Sequence, residues 1–277
     1  MTFFDNFSSH QLIAAHRGYR ACFPENTLSA FLGSLNRCHF IELDIQLSKD
    51  NVPVVIHDAT LNRTSDCQQK KKELDLDSTR VSDWTVPQLK TLDMGSWFLQ
   101  SDPFKTLAEK TASIEHISSL LPQRIMTLEE VLHHPRLKKT PVNVEIKDHS
   151  GTPQDKLVTA RVLEVIKMTQ SENRVLVSSF NHDYLLMCHI IFPEVSLGVL
   201  QSGSHPPDLV EYLKTIGAAA YHPSDRITDR SLIRTLRSSG FGVNVYTVNE
   251  KKRWKFLFDA GATAIITDFP ELQNLTD

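Results

Sequence analysis

Residues 195–217 read VSLGVLQSGSHPPDLVEYLKTIG. The first six residues are an apolar run typical of a buried β-strand. After the two prolines, apolar residues fall at positions 209, 210, 213 and 216, which is the spacing of one helix face. Gly217 then ends the helix, because glycine readily adopts the left-handed conformation of a helix C-terminus. A strand followed by an amphipathic helix is the unit of parallel α/β folds.

The same unit recurs along the chain and predicts eight strands. They begin near residues 12, 40, 142, 175, 195, 218, 243 and 264. Eight parallel strands close into a (β/α)8 TIM barrel of about 250 residues, so we expect a single barrel domain over residues 1–277. An open doubly wound sheet is the alternative, but that fold usually has a glycine-rich phosphate loop. Only ten glycines occur and none lies in a GxGxxG motif, which favours the barrel.

One apolar run, Val52–His57, follows the second strand too closely for a helical crossover. We interpret it as the return arm of a β-hairpin whose two central turn residues are Asp50 and Asn51. Residues whose numbers add up to 101 then face each other. This register predicts that Asp44 lies opposite His57.

Residues 61–123 interrupt the alternation of strands and helices. We interpret them as a segment inserted after the hairpin, over or beside the mouth of the barrel. The lysine run at 70–72 is typical of a solvated surface. The aromatic residues Trp97, Phe98 and Phe104 are candidates for a pocket wall or for ordinary core.

Composition excludes several classes of protein. The net charge of −3 and the pI near 6.5 give no basic surface for nucleic acid or for an anionic membrane. No apolar run approaches the roughly 18 residues of a transmembrane helix. The N-terminal stretch MTFFDNFSSHQ lacks the features of a secretory signal, and the four scattered cysteines indicate reduced thiols. We therefore expect a cytoplasmic protein. Its oligomeric state is not indicated.

Three acidic residues are candidate metal ligands. Glu42 and Asp44 are two apart on the second predicted strand, so their side chains share one face. Glu145 is placed in the same way on the third predicted strand of the barrel. Inward-facing carboxylates repel one another, and a bound cation relieves that repulsion. Three oxygen ligands without cysteine suit a hard ion, so we expect one divalent metal ion, Mg²⁺ or Ca²⁺.

Two histidines and two cationic residues are expected at the same end of the barrel, where TIM-barrel active sites lie. His16 and Arg17 follow the first strand, and His57 ends the hairpin. Lys147 ends the strand that carries Glu145. A metal ion and two cations would stabilise charge on a phosphate ester, while the histidines serve as general base and general acid.

The chain also resembles a known family in a series of short motifs. They are AHRG at 15–18, PENT at 24–27, ELD at 42–44, VVIHD at 54–58, LNRT at 61–64, TLEEVL at 127–132, VEIK at 144–147, SSF at 178–180, VYTVN at 245–249 and IITDFP at 265–270. In order and spacing this set resembles the glycerophosphodiester phosphodiesterases. The resemblance implies a (β/α)8 barrel with an inserted segment, and metal-dependent hydrolysis of glycerophosphodiesters to an alcohol and sn-glycerol 3-phosphate.

The family's residue roles fall on matching positions of this sequence. The resemblance implies that the acid/base pair is His16 and His57, that the metal ligands are Glu42, Asp44 and Glu145, and that the phosphate contacts are Arg17 and Lys147. Phe180 and Tyr246 are expected at the substrate pocket. The family often has Trp where Tyr246 stands, so the head-group wall is expected to differ. Asn51 replaces a usual Gly, and Asn tolerates the positive φ of such a turn.

The sequence leaves two alternative functions of the site open. One is lysophospholipase D activity on longer lipids, for which Trp97, Phe98 and Phe104 would have to line an apolar groove. The other is a barrel that binds phosphoglycerol without catalysis. The first nucleophile also stays open between a glycerol hydroxyl, which would give a cyclic phosphate, and water.

Overall fold

The computed structural model describes residues 2–270. Its centre is a closed barrel of eight parallel strands. The barrel strands are β1 (Leu12–Ala15), β2 (Phe40–Leu47), β4 (Val142–Ile146), β5 (Val175–Ser179), β6 (Ser196–Gln201), β7 (Ala220–Pro223), β8 (Gly242–Val245) and β9 (Ala264–Thr267). β1 pairs with both β9 and β2, which closes the barrel, and a ninth strand, β3 (Pro53–Val55), pairs antiparallel with β2. The predicted barrel is confirmed, and each strand begins within two residues of its predicted start.

Eleven α-helices occur among the described residues. They are α1 (Leu28–Ser34), α2 (Cys67–Glu73), α3 (Val86–Leu89), α4 (Ser96–Ser101), α5 (Ile114–Ser119), α6 (Leu128–His133), α7 (Val158–Met168), α8 (His182–Ile191), α9 (Leu209–Ile216), α10 (Arg230–Ser238) and α11 (Lys251–Ala260). Of these, α2 to α5 belong to the inserted segment. Among residues 2–270 we find no helix with the length and apolar character that crossing a membrane requires.

The main core lies between the barrel wall and the surrounding helices. Ile41, Leu43 and Ile45 of β2 are fully buried in this core. Because successive strand residues point to opposite faces, the intervening Glu42 and Asp44 point to the barrel interior. The alternating side-chain direction along β2 therefore buries the apolar residues in the core and points the acidic side chains into the barrel.

The hairpin after β2 confirms the expected antiparallel pair but not its register. Ile45 pairs with Val55 and Gln46 with Val54, so paired positions add up to 100 and the prediction that Asp44 lies opposite His57 is wrong. The turn has three residues, and Asn51 adopts the positive φ of 58° that closes such a loop. One extra turn residue shifts every pair by one. The amide of Ile56 therefore donates to the Asp44 carbonyl, and His57 lies beyond the end of β3.

The inserted segment packs against loops at the carboxyl ends of the barrel strands. Trp84 is fully buried in a small core that it shares with Val54 and Ile56 of the hairpin. Phe98 is fully buried in a second small core with Tyr19, from the loop after β1. Phe98 is therefore a core residue, and the alternative prediction that it lines an apolar groove is wrong. The segment lies beside the barrel mouth and is anchored at two points.

A glycine in the loop after β1 gives a prediction about stability. Gly18 has a φ of +80°, and a Cβ atom there would lie 2.6 Å from the Ala30 carbonyl carbon. Gly240 has a φ of +89°, with nothing within 4 Å of such an atom. Left-handed strain costs about 1–2 kcal/mol at either position, and overpacking adds about 1–3 kcal/mol at Gly18. In urea unfolding we expect Gly18→Ala to lower the free energy of unfolding by about 3 kcal/mol and Gly240→Ala by about 1 kcal/mol. Equal losses would mean that a Cβ atom at position 18 does not clash with Ala30 of α1.

Candidate active site

Three acidic side chains converge at the carboxyl end of the barrel. β2 provides Glu42 and Asp44, and β4 provides Glu145, which pairs in register with Asp44. One carboxylate oxygen from each residue lies within 4.8 Å of the other two, and all three residues are buried. The structure thus brings together the three residues that the sequence predicts as metal ligands.

The three carboxylates are buried close together and repel one another, so their pKa values are shifted from the usual ones. Burial, together with the charges of Asp44 and Glu145, raises the pKa of Glu42 well above its usual value. Burial also raises the pKa of Glu145, against the opposing charge of Lys147. At Asp44, burial would raise the pKa, but the charges of Arg17 and Lys147 outweigh it and hold the pKa low. Glu42 Oε1 is buried and has no hydrogen-bond partner among the described residues. An unpartnered oxygen in a repulsive acidic cluster fits a hard divalent cation.

Both predicted cationic residues border the acidic cluster. The backbone amide of Arg17 donates to Glu42 Oε2 at 2.8 Å, and its Nε lies 3.1 Å from Asp44 Oδ2. Lys147 Nζ lies 3.4 Å from Asp44 Oδ1 and also forms an ion pair with Glu145. The two cations and three acids therefore form one compact charged group.

His16 directly follows β1 and is paired with a carboxylate from the other end of the chain. Its Nδ1 lies 2.7 Å from Asp268 Oδ1, and Asp268 Oδ2 accepts from Asn249 at 2.7 Å. Burial would raise the pKa of Asp268, but the hydrogen bond from His16 and nearby positive charge hold it below its usual range. An ionised carboxylate only accepts hydrogen bonds, so the proton lies on Nδ1. Nε2 of the neutral ring is then a proton acceptor.

His57 has an equivalent arrangement within the hairpin and the loop that follows it. Its Nδ1 lies 2.6 Å from Asp58 Oδ1, and Asp58 accepts two hydrogen bonds from Arg63, at 2.7 and 2.9 Å. Burial would raise the pKa of Asp58, but the hydrogen bonds from His57 and Arg63 hold it low. A positive charge on His57 would add to the lowering of the Asp44 pKa and oppose the rise of the Glu145 pKa, so the ring lies near the acidic cluster.

Glu25 lies at the centre of a cluster of arginines. Its oxygens lie within 3.0 Å of nitrogens of Arg17, Arg20 and Arg63. Its side chain is only 2% exposed. Burial would raise the pKa of Glu25, but the hydrogen bonds from Arg63 and the three positive charges lower it to about 2.

This lowered pKa predicts how acid affects stability. The ionised form of Glu25 stabilises the folded state above its ordinary pKa of 4.5, and this contribution is lost as the pH falls towards about 2. We expect the free energy of unfolding of the wild type to fall more steeply than that of Glu25→Gln over this range, so that the two curves converge by about 3 kcal/mol. Chemical denaturation at several pH values measures both curves. Parallel curves would mean that Glu25 has a normal pKa in the folded protein.

Sequence reasoning missed the polar residues that support this site: besides Arg20, Arg63 and Asn249, four more are notable. Asp58 and Asp268 support the two histidines, and Glu25 gathers the arginines. Asn26 has a φ of 56°, and its Nδ2 donates to Asp44 Oδ2 at 2.8 Å. All four lie in quoted motifs (PENT, VVIHD and IITDFP) but carried no role. Asp268 directly follows β9 and Asp58 follows the hairpin arm, so their positions were visible in the sequence, but the partners that all four contact were not.

The two aromatic residues expected at the pocket lie in contact. The rings of Phe180 and Tyr246 meet edge to face, with centroids 5.9 Å apart. Phe180 is 41% exposed, so part of its ring faces solvent. Burial raises the pKa of Tyr246, and the charge of Glu145 adds to this rise.

The barrel, with ionisable groups gathered at the carboxyl ends of its strands, defines the chain as a (β/α)8 enzyme. A model of the glycerophosphoryl diester phosphodiesterase family matches residues 16–272. A glycerophosphodiester phosphodiesterase of Bacillus altitudinis is 33% identical over 264 residues, covering 94% of this chain and 95% of that protein. One from Caldanaerobacter subterraneus is 32% identical over 262 residues, covering the same shares. The chain belongs to the glycerophosphoryl diester phosphodiesterase family, and is therefore a phosphoric diester hydrolase.

Solved structures confirm the fold. An Oleispira antarctica phosphodiesterase, in complex with its product sn-glycerol-3-phosphate, superposes with a TM-score of 0.80 at 24% identity, over 100% of both chains. A protein of Silicibacter pomeroyi described as a glycerophosphoryl diester phosphodiesterase gives a TM-score of 0.79 at 22% identity, over 95% of this chain and 92% of that one.

Proposed function

We propose that this enzyme hydrolyses glycerophosphodiesters to an alcohol and sn-glycerol 3-phosphate, with one divalent metal ion and two histidines. The observation that carries the proposal is the cluster of three buried carboxylates with an aspartate-paired histidine nearby. The product complex of the Oleispira protein is consistent with the proposed product. Family membership supports the reaction class.

Glu42, Asp44 and Glu145 would hold the metal ion. The unpartnered Glu42 Oε1 and the short separations between the three oxygens suit Mg²⁺ or Ca²⁺. When bound, such an ion stabilises the negative charge that develops on the phosphate oxygens.

Arg17 and Lys147 would contact the phosphate group. Both lie beside the metal ligands, with side chains that are 11% and 15% exposed. Desolvated cations interact strongly with a phosphate, Arg through its planar fork and Lys as a point charge. The ion pairs with Asp44 and Glu145 hold both cations in position before the substrate arrives.

His16 and His57 would move the protons. One takes the proton from the attacking oxygen, and the other gives a proton to the oxygen of the departing alcohol. Asp268 and Asp58 fix the Nδ1–H tautomer of each ring and stabilise the imidazolium form. Attack by a glycerol hydroxyl and attack by water require the same pair. Appearance of a cyclic phosphate in a ³¹P NMR time course would identify the first route.

Phe180 and Tyr246 would form the wall that faces the alcohol. The test is a metal-supplemented assay with glycerophosphocholine, glycerophosphoethanolamine and glycerophosphoinositol, in which glycerol 3-phosphate is measured. Release of glycerol 3-phosphate that stops with EDTA and returns with Mg²⁺ or Ca²⁺ is expected. Turnover only of micellar lysophosphatidylcholine would favour the lysophospholipase D alternative, and binding of a diester without turnover would favour a non-catalytic barrel.

A further inference from the structure

We infer that Glu25 is a positioning residue that orients both histidines at once, through two arginines and two aspartates. Glu25 would in this way hold the acid/base pair in place, and the relevance of this role to turnover rests on the proposed function. It is carried by an unbroken series of short contacts between buried and half-buried side chains.

One half of the series runs towards His16. Arg20 places its Nε 2.8 Å from Glu25 Oε2 and its Nη1 3.2 Å from Asp268 Oδ1. The same Asp268 oxygen lies 2.7 Å from His16 Nδ1. Arg20 therefore joins Glu25 to the carboxylate that orients the first histidine.

The other half runs towards His57. Arg63 Nη2 and Nη1 lie 2.8 and 3.0 Å from the two oxygens of Glu25. Arg63 Nε and Nη2 lie 2.7 and 2.9 Å from the two oxygens of Asp58, whose Oδ1 is 2.6 Å from His57 Nδ1. Because each carboxylate is bound by two nitrogens, the plane of the guanidinium fixes the orientation of both.

Joined together, the two halves form a single path with Glu25 at its centre. The path is His16–Asp268–Arg20–Glu25–Arg63–Asp58–His57. Glu25 accepts two hydrogen bonds from Arg63 and one each from Arg17 and Arg20, which fills the four lone-pair sites of a carboxylate. A buried and saturated carboxylate has one preferred position, so it fixes both branches relative to each other.

The two branches differ in strength. Asp268 also accepts a hydrogen bond from Asn249. This bond would still hold the Asp268 carboxylate if Arg20 lost its contact with Glu25. Among the described residues, the side chain of Asp58 is held by Arg63 and by His57 itself. Loss of Glu25 should therefore disturb His57 more than His16.

The test reads the tautomer of each ring directly. In protein labelled with ¹⁵N-histidine, the ring nitrogen shifts are followed through the non-exchanging carbon-bound protons, and His16→Ala and His57→Ala assign the two signals. Glu25→Gln is expected to move both rings from the Nδ1–H form towards a mixture of tautomers, with the larger shift at His57. Arg63→Met should move His57 alone, and Arg20→Met should move His16 alone. Each variant should lower kcat by about 10–100-fold.

Arg161→Met and Glu164→Gln are the matched controls, because they remove an ion pair on the exposed face of α7. We expect both signals and kcat to stay as in the wild type. If Glu25→Gln does not fold, Arg63→Met still tests the inference. The Arg63 side chain is 39% exposed, and its removal leaves Glu25 paired with Arg17 and Arg20. Unmoved histidine signals in a folded Glu25→Gln or Arg63→Met protein would overturn the inference, even where kcat falls. Moved signals with unchanged kcat would support the linkage and refute the proposed acid/base roles.

Discussion

Alanine in place of His57 is expected to lower kcat by about 100- to 10,000-fold, and alanine in place of His16 by a similar factor. Each ring has its Nδ1 committed to a carboxylate, so Nε2 is the atom available for proton transfer. Alanine removes that atom, and the proton must then move through water, which is not held in the required geometry. Steady-state assays at saturating metal and diester measure the effect.

His133→Ala is the control for this pair. His133 lies on α6 with 56% of its side chain exposed, where it pairs with Glu129. Its replacement should leave kcat unchanged. Circular dichroism should give the same spectrum for all three variants. A folded His16→Ala or His57→Ala protein with wild-type kcat would remove that histidine from the acid/base pair.

The second large effect is expected for Asp44→Asn. Asp44 is fully buried, and a neutral amide there provides neither the charge nor the second acceptor oxygen of a carboxylate. We expect the affinity for Mg²⁺ or Ca²⁺ to fall by more than the about 10–100-fold that outer-shell changes cause. Calorimetric titration with each ion measures the affinity, and metal titration of the activity gives a second value. EDTA should abolish the activity of the wild type, and added ion should restore it.

Asp259→Asn provides the comparison for this variant. Asp259 lies on α11, is about half exposed, and is 3.6 Å from Lys255. It should bind metal as the wild type does. Asp44→Asn also leaves Arg17 and Lys147 with one carboxylate fewer, so its urea midpoint should be measured beside its activity. Unchanged affinity in folded Asp44→Asn would exclude Asp44 as a ligand.

The barrel was predictable because its signals are local and repeated. Each βα unit carries its own apolar run and its own helix face, and Gly217 and Gly261 end two of the helices in the left-handed conformation. The hairpin register was not predictable in the same way. It depends on whether Asn51 closes a loop of two or of three residues, and the sequence allows both.

The acidic cluster followed from alternation along β2 and β4, together with the rule that parallel strands end at one edge. Its supports could not be found by that reasoning. Asp268 reaches His16 from a position 252 residues later in the chain, and Glu25 contacts arginines from three separate positions. Such pairs are set by how loops fold over the barrel mouth, and no periodic pattern describes a loop.

The junction between β1 and β9 has a consequence for how the protein matures in the cell. A ribosome makes His16 long before it makes Asp268, and the hydrogen bonds between β1 and β9 cannot form until the last strand has emerged. A growing polypeptide can therefore contain His16 and the carboxylates of β2 and β4 before the His16–Asp268 pair exists. We therefore expect activity to begin only after β9 has paired with β1 and Asp268 has reached His16.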